Sequence, residues 1–373
     1  MIVMIRRQLR VNRMSMVVMA TLWAVNSVAQ TVAYGSIFPD PTLRAKTLEA
    51  FTSNGALRAL YGYPYDITTA TGWLAWRSMG FVVVVMAMWA AFITVGALRG
   101  EEESGRAELA LSQPHSRRLW FTAALATVAI ETLVIGVVNV LALAAICVTT
   151  GQMSFLGALA IGLQLVLPGF LFIAVGAVSS QLFSTARAAR IAVAAVLLVA
   201  FFARTAADVG SGMTWLRWIM PLGWFEELHP PAAPSMYALF AIGAALLVLY
   251  FAALRLLAVR DIGLGVLPHR DRRSPRRFLL GAPWQAALRD DLPQLSIWAL
   301  GTILCMLLVG SLTKLVLDLV RSFAAFSSLV GTGFAVNAYA ASLFSLVQIV
   351  VTLLLVTMMV GARGEEASAH WGN

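Results

Sequence analysis

Long apolar runs separated by short polar breaks dominate this chain. Continuous hydrophobic stretches lie near residues 14–34, 73–98, 119–148, 155–183, 191–207, 236–257, 295–312 and 340–360. Each meets or approaches the roughly 20 residues that a helix needs to cross the ~30 Å hydrocarbon core of a bilayer. The apolar positions run on rather than alternate, which favours helices over a barrel, because a helix in lipid satisfies its backbone hydrogen bonds internally. The pattern predicts an all-α polytopic membrane protein with about eight transmembrane helices. Composition agrees: of 373 residues, 60% are hydrophobic and 12% charged, too oily a balance for a soluble domain of this length.

The net charge of +9 could suggest nucleic acid, but its distribution points to topology instead. With the N-terminus in the cytoplasm, most of the 27 Lys and Arg residues fall on the cytoplasmic side or at its helix ends, as the positive-inside rule requires. They include Arg6, Arg7, Arg10 and Arg13, then Arg187 and Arg190, then the cluster from Arg270 to Arg277. An even number of spans returns the C-terminus to the same side, so a multi-pass plasma (inner) membrane protein is expected, with both termini cytoplasmic and no nucleic-acid partner. The first apolar run is too long for a signal-peptide core and reads as a retained anchor. Cys147 and Cys305 both fall inside predicted spans, which leaves no disulfide framework.

The polar breaks carry their own signals. Residues 1–13 alternate apolar and basic positions near helical spacing and fit either an interfacial helix on the cytoplasmic leaflet or a basic tail. In the outer loop, Asp40 as N-cap, Pro41 at the first position and Leu43, Leu48 and Phe51 along one side predict a short external helix. Between the fifth and sixth spans, Trp215, Trp218 and Trp224 suit the membrane interface and predict a segment dipping into the outer leaflet. Glu226, Glu227 and His229 lack the helical spacing of metal ligands, so no metal is assigned. Residues 259–292 form a basic, proline-containing linker, separating a first unit at 1–258 from a partial second one at 293–373.

Chemistry is sparse. The lysines are Lys46 and Lys314, and neither follows a glycine-rich phosphate cradle, so no P-loop is available for ATP hydrolysis. No nucleophile elbow or Cys/His pair appears either, and the chain reads as a non-enzyme. Glu131 stands out inside the third span, where an ionised carboxylate costs about 2.5 to 3.5 kcal/mol. Two readings fit it: contact with a cationic substrate or a proton-linked step, or a packing hydrogen bond to Ser, Thr or Asn on a neighbouring helix with the acid protonated. Arg204 is expected to snorkel from an outer helix end, and Gln164 with Pro168 to loosen the fourth span.

The loop "LRGEEESGRAELALSQPHSRR" between the second and third spans is the most hydrophilic break. Glu101, Glu102 and Glu103 suit the positive end of a helix dipole, and Glu102 precedes Arg106 by four residues. Pro114 should end the helix and Ser116 should cap the next span. Residues 99–102 (RGEE) recur at 363–366, again after a long span, and "QAALRDD" precedes the seventh span much as "RRQLRVNR" precedes the first. The chain therefore reads as an internal duplication whose second copy stops after two spans, so that either the chain is truncated or something else supplies the remaining four spans.

Together, the acid-rich loop, the basic N-terminal segment and the "RDIGLGVLPHR" linker resemble the permeases of ABC-2-type transporters, in particular the polyketide-antibiotic and multidrug exporters. The resemblance implies a six-helix ABC-2 (type V exporter-like) unit followed by the start of a second. It makes residues 1–13 an elbow helix, residues 101–112 a coupling helix and about 212–230 a pair of re-entrant external helices. It further implies a separate ABC-type ATPase subunit, in two copies, which would use ATP and Mg while the permease binds no cofactor itself. That ATPase would dock on Glu101, Glu102, Glu103, Arg106, Glu108, Leu109 and Leu111, and on Glu365 and Glu366 in the second copy. The implied cargo is a hydrophobic or amphiphilic small molecule moved outward. Two other classes remain open: a proton-coupled secondary transporter using Glu131, and a non-transporting membrane scaffold.

Overall fold

The computed structural model describes residues 2–37, 61–79, 81–112, 116–209, 212–228 and 235–267, together with Arg58 and a few isolated residues between 285 and 303. The chain divides into two compact units, Met1–Arg270 and Asp271–Asn373, and the elements below belong to the first. The external helix expected from Asp40, the seventh and eighth spans, His229, Cys305, Glu365 and Glu366 lie outside the described residues. Among the described residues, six helices are long and apolar enough to cross a membrane, and no strand occurs.

Helix α1 runs unbroken over Ile2–Ile37. At 1.5 Å per residue it is about 54 Å long, well beyond the hydrocarbon core. This corrects the expectation of a separate interfacial helix over residues 1–13. No proline or glycine interrupts the chain before Gly35, so nothing stops the basic segment from continuing the span. The second predicted span instead divides into α2 (Ala70–Met79) and α3 (Val82–Val95). The wide π turn Gly96–Gly100 then carries α3 on into the short α4 (Glu101–Glu103).

Gly105 adopts a left-handed conformation (φ 73°) and separates α4 from α5 (Arg106–Leu111), a bend that a side chain would strain. The Ser116 hydroxyl then accepts the Leu119 amide at 3.2 Å and caps α6 (Arg117–Thr150). Ser154 caps α7 (Phe155–Leu182) in the same way, accepting from the Gly157 amide at 3.0 Å. Helix α8 (Ala186–Val209), the short α9 (Leu216–Ile219) and α10 (Pro221–Glu226), and α11 (Met236–Val259) complete the unit.

Helix α7 is the centre: it packs against α3, α6, α8 and α11, while α1 lies along α6. Pro168 sits inside α7 without ending it, because neighbouring helices can hold a proline-containing span in place. Small residues set the close approaches, as expected where lipid offers no hydrophobic drive between helices. A Cβ on Gly176 would lie 2.8 Å from the Ala91 carbonyl oxygen and 3.1 Å from its Cα, so α3 and α7 touch backbone to backbone. Polar pairs add specificity: Asn139 Nδ2 donates to Ser27 Oγ at 2.9 Å between α6 and α1, and Trp89 Nε1 to Ser15 Oγ at 2.7 Å between α3 and α1.

Gly176→Val should therefore force α3 from α7 and destabilise the protein by about 1 to 3 kcal/mol, read as a lowered unfolding temperature in detergent. Gly243→Ala, where an added Cβ meets nothing within 4 Å, should leave that temperature unchanged or slightly raised.

Candidate functional site

The π turn after α3 rotates the following residues, and this rotation builds a polar clasp at the basic end of the bundle. Arg99 is fully buried. Its guanidinium donates to the Ser180 carbonyl (2.6 Å from Nη2), to the Leu264 carbonyl (3.1 Å) and to Glu102 Oε2 (2.9 Å). Glu102 in turn receives Arg260: Nη1 lies 2.9 Å from Oε2, and Nη2 bonds Oε1. Arg260 Nε reaches Gln181 Oε1 at 2.5 Å, and the Gly263 amide points at Glu102 Oε2 at 3.3 Å. One carboxylate thus joins the end of α3, the end of α7 and the chain leaving α11.

That departing chain lies flat on α7. The Val266 amide donates to the Gln181 carbonyl at 3.1 Å and the Leu267 amide to the Leu182 carbonyl at 2.9 Å. Gly265 permits this approach, since a Cβ there would come within 2.6 Å of the Leu182 carbonyl oxygen. Arg117 Nη2 donates to the Arg260 carbonyl at 3.0 Å, which adds the start of α6. The pattern of charges did not reveal this partnership, because Arg260 is 158 residues from Glu102. The readable signal was local: Arg99 and Glu102 stand three residues apart at the end of a span.

The remaining acids divide the labour differently from the predicted one. Arg106 pairs with Glu101 at 3.0 Å, not with Glu102. The left-handed Gly105 breaks the helical phase that an i, i+4 pairing assumes, and the π turn has already turned Glu102 inward. Glu101 also takes Arg7 of α1 at 3.2 Å. Glu103 Oε1 accepts the Ala186 amide at 2.8 Å, placing a negative charge at the positive start of α8. On α5 the exposed residues are Arg106, Glu108 and Leu109, the last 73% exposed. Leu111 is half-buried and Ala107 is buried against the bundle.

The opposite end carries a second cluster. Arg204 is buried at 1% exposure, a correction to the expected snorkelling: it faces Asp208 one turn on and lies over the Phe201 ring at 5.0 Å. Arg217 of α9 bridges Asp208 (2.7 Å), Glu227 (2.9 Å) and Glu226 (3.5 Å). The Tyr63 amide donates to Glu226 Oε1 at 2.5 Å, and Tyr65 donates to Glu227 Oε1 at 2.8 Å. Burial, reinforced by the Asp208 carboxylate, pushes the Glu226 carboxyl up to about 8 against the opposing pull of Arg204 and Arg217. Trp215 and Trp218 are exposed, while Trp224 is half-buried and its Nε1 donates to the Trp218 carbonyl at 2.7 Å.

Glu131 is fully buried on α6, and both of its oxygens accept the Asn12 amide of α1, at 3.0 and 3.3 Å. Of the two sequence readings, the hydrogen bond to an Asn on a neighbouring helix is present. Gln164 is buried on α7, and Cys147 is a free thiol. Among the described residues, no group of His, Cys, Asp and Glu could hold a metal ion.

Compared with known proteins, residues 8–255 and 280–372 match the family described as "Multidrug efflux system permease Rv1217c, C-terminal domain". The chain is also 31% identical over 369 residues to the multidrug efflux system permease protein Rv1217c of Mycobacterium tuberculosis (strain ATCC 25618 / H37Rv). The alignment covers 97% of this chain and 66% of that relative, so the chain spans just under two thirds of its length.

Glu102→Ala should cost about 3 to 5 kcal/mol, because it leaves two buried guanidinium groups facing each other. Glu101→Ala breaks only pairs to half-exposed arginines and should cost under about 1 kcal/mol; denaturation of the two variants in matched micelles measures the contrast. For Glu226, the fold raises the carboxyl from 4.5 to about 8, so the native state holds the proton more tightly than the unfolded chain does. Stability should therefore fall as pH rises through that window. Glu226→Gln should flatten the fall in a pH series of unfolding temperatures.

Proposed function

The chain belongs to the multidrug efflux system permease family, and on that premise we propose that it is the membrane-embedded permease of an ATP-driven exporter, with the ATPase on a separate subunit. The basic end, carrying Arg6, Arg7, Arg10 and Arg13, faces the cytoplasm, in keeping with the positive-inside rule. There α5 presents Glu108 and Leu109 outward while its base is fastened to the bundle. That combination carries the reading: an exposed short helix on a rigid mount suits a partner that must push on it.

The mount is the polar clasp. A partner pressing α5 loads Glu101 and, through the adjoining α4, Glu102. Glu102 holds α7 and the chain after α11 through Arg99 and Arg260. Motion at α5 would thus reach several spans at once instead of bending one loop. Two ATPase copies would hydrolyse ATP with Mg and alternate the permease between inward and outward access, and the cargo would be a hydrophobic or amphiphilic small molecule.

Co-expression with the partner ATPase tests this. The pair should co-purify, and Glu108→Arg with Leu109→Asp should cut both association and ATP-dependent efflux at least tenfold while leaving the unfolding temperature unchanged. Efflux that survives ATP depletion and collapses with a protonophore would instead indicate a secondary transporter.

A further inference from the structure

Gln164 interrupts the apolar run of α7, and neither the clasp nor the docking helix uses it. It is 3% exposed and lines a cavity of about 10 Å3 together with Ser27 of α1 and Asn139 of α6, which apolar side chains of α3 and α7 close off. Ser27 and Asn139 are as deeply enclosed, at 5% and 1%. The volume is about what the centre of one water molecule requires. Closer approach of α6 and α7 cannot fill it, because the two helices already meet nearby: a Cβ on Gly162 would lie 2.3 Å from Val140 Cγ2.

The hydrogen bonds around this cavity do not close among the side chains themselves. Asn139 Nδ2 donates to Ser27 Oγ. Asn139 Oδ1 and Gln164 Oε1 are both buried, and neither has a donor among the described residues. Two such acceptors inside a membrane-spanning bundle are unfavourable, since lipid offers them no hydrogen bond. A ligand that completes the site must be no larger than water and must carry two donors. It must also leave a lone pair for the Ser27 hydroxyl hydrogen. Water meets all three demands, and it pairs with either end of the Gln164 amide. A bare cation takes only the oxygen end and would find three neutral oxygens here.

We propose that Ser27, Asn139 and Gln164 form a binding site for one ordered water, which donates to Asn139 Oδ1 and Gln164 Oε1 and accepts from the Ser27 hydroxyl. Three hydrogen bonds are typical of a buried water. The site ties the α1–α6 pair, already joined by Asn139 and Ser27, to the central α7. Water-mediated bonds are nearly as good as direct ones and can reorient. The bridge therefore holds three spans together without the fixed geometry of a direct side-chain contact, and it is independent of the export reading.

Two measurements on the purified full chain in nanodiscs test the proposal. In an electron cryomicroscopy map that resolves ordered water, one density peak should lie about 2.5 to 3.0 Å from Asn139 Oδ1, Gln164 Oε1 and Ser27 Oγ. In infrared spectra taken in D2O, an O–D stretch of internal water should shift when the oxygen is exchanged for 18O. That band should be lost or moved in Gln164→Met, which keeps the length of the side chain and removes its amide. Leu165→Met, a change in the same wall without a polar group, should leave the band in place. If Gln164→Met does not fold, the map of the unaltered chain decides alone. No density between the three side chains, density that appears only with added Na+, or an identical O–D band in folded Gln164→Met overturns the proposal.

Discussion

Glu102, buried between Arg99 and Arg260, is the constraint on which the basic end of the unit depends. Two guanidinium groups and one carboxylate leave a surplus positive charge in an enclosed site, and such a site is tolerable only when every remaining donor finds a partner. The carbonyls of Ser180 and Leu264 and the Gln181 side chain supply those partners. Because they come from α7 and from the chain beyond α11, satisfying the charges and fixing the helix ends are one event. This geometry also depends on two backbone devices, the π turn before Glu101 and the left-handed Gly105 after Glu103.

The bundle above the clasp is held by different means. Helix α7 meets α3 backbone to backbone at Gly176, and α6 meets it at Gly136 and Gly162, where added Cβ atoms would strike Val166 and Val140. Close packing of this kind replaces the hydrophobic drive that lipid does not provide. The far end closes with a second charge cluster about Asp208, Arg217 and Glu226. Rigid polar anchoring at both ends with small-residue contacts between them suits a unit whose helices shift as bodies.

Much of this was readable from residue order. The apolar runs located the six described spans because each is long and continuous, and Ser116 was recognisable as a cap. The errors have physical causes. The continuity of α1 was hidden because alternating basic residues fit a surface helix and a protruding span equally well. The pairing of Glu102 was misassigned because an i, i+4 rule presumes an uninterrupted α-helix, and the left-handed Gly105 breaks the helix between Glu102 and Arg106. Arg204 was given to the water, although Asp208 one turn later was a legible partner. Arg260 could not be found by spacing at all, since only tertiary structure brings it to Glu102.

If the proposed ATPase docks on α5, the clasp makes one mechanical claim: α5 and the chain at residues 260–267 would move as a unit when it engages. Hydrogen exchange on the permease in nanodiscs, with and without the partner ATPase and Mg-ATP, measures it directly. The account predicts that amides of residues 106–112 and 260–267 change protection together. Protection gained over 106–112 with residues 260–267 unchanged would contradict it.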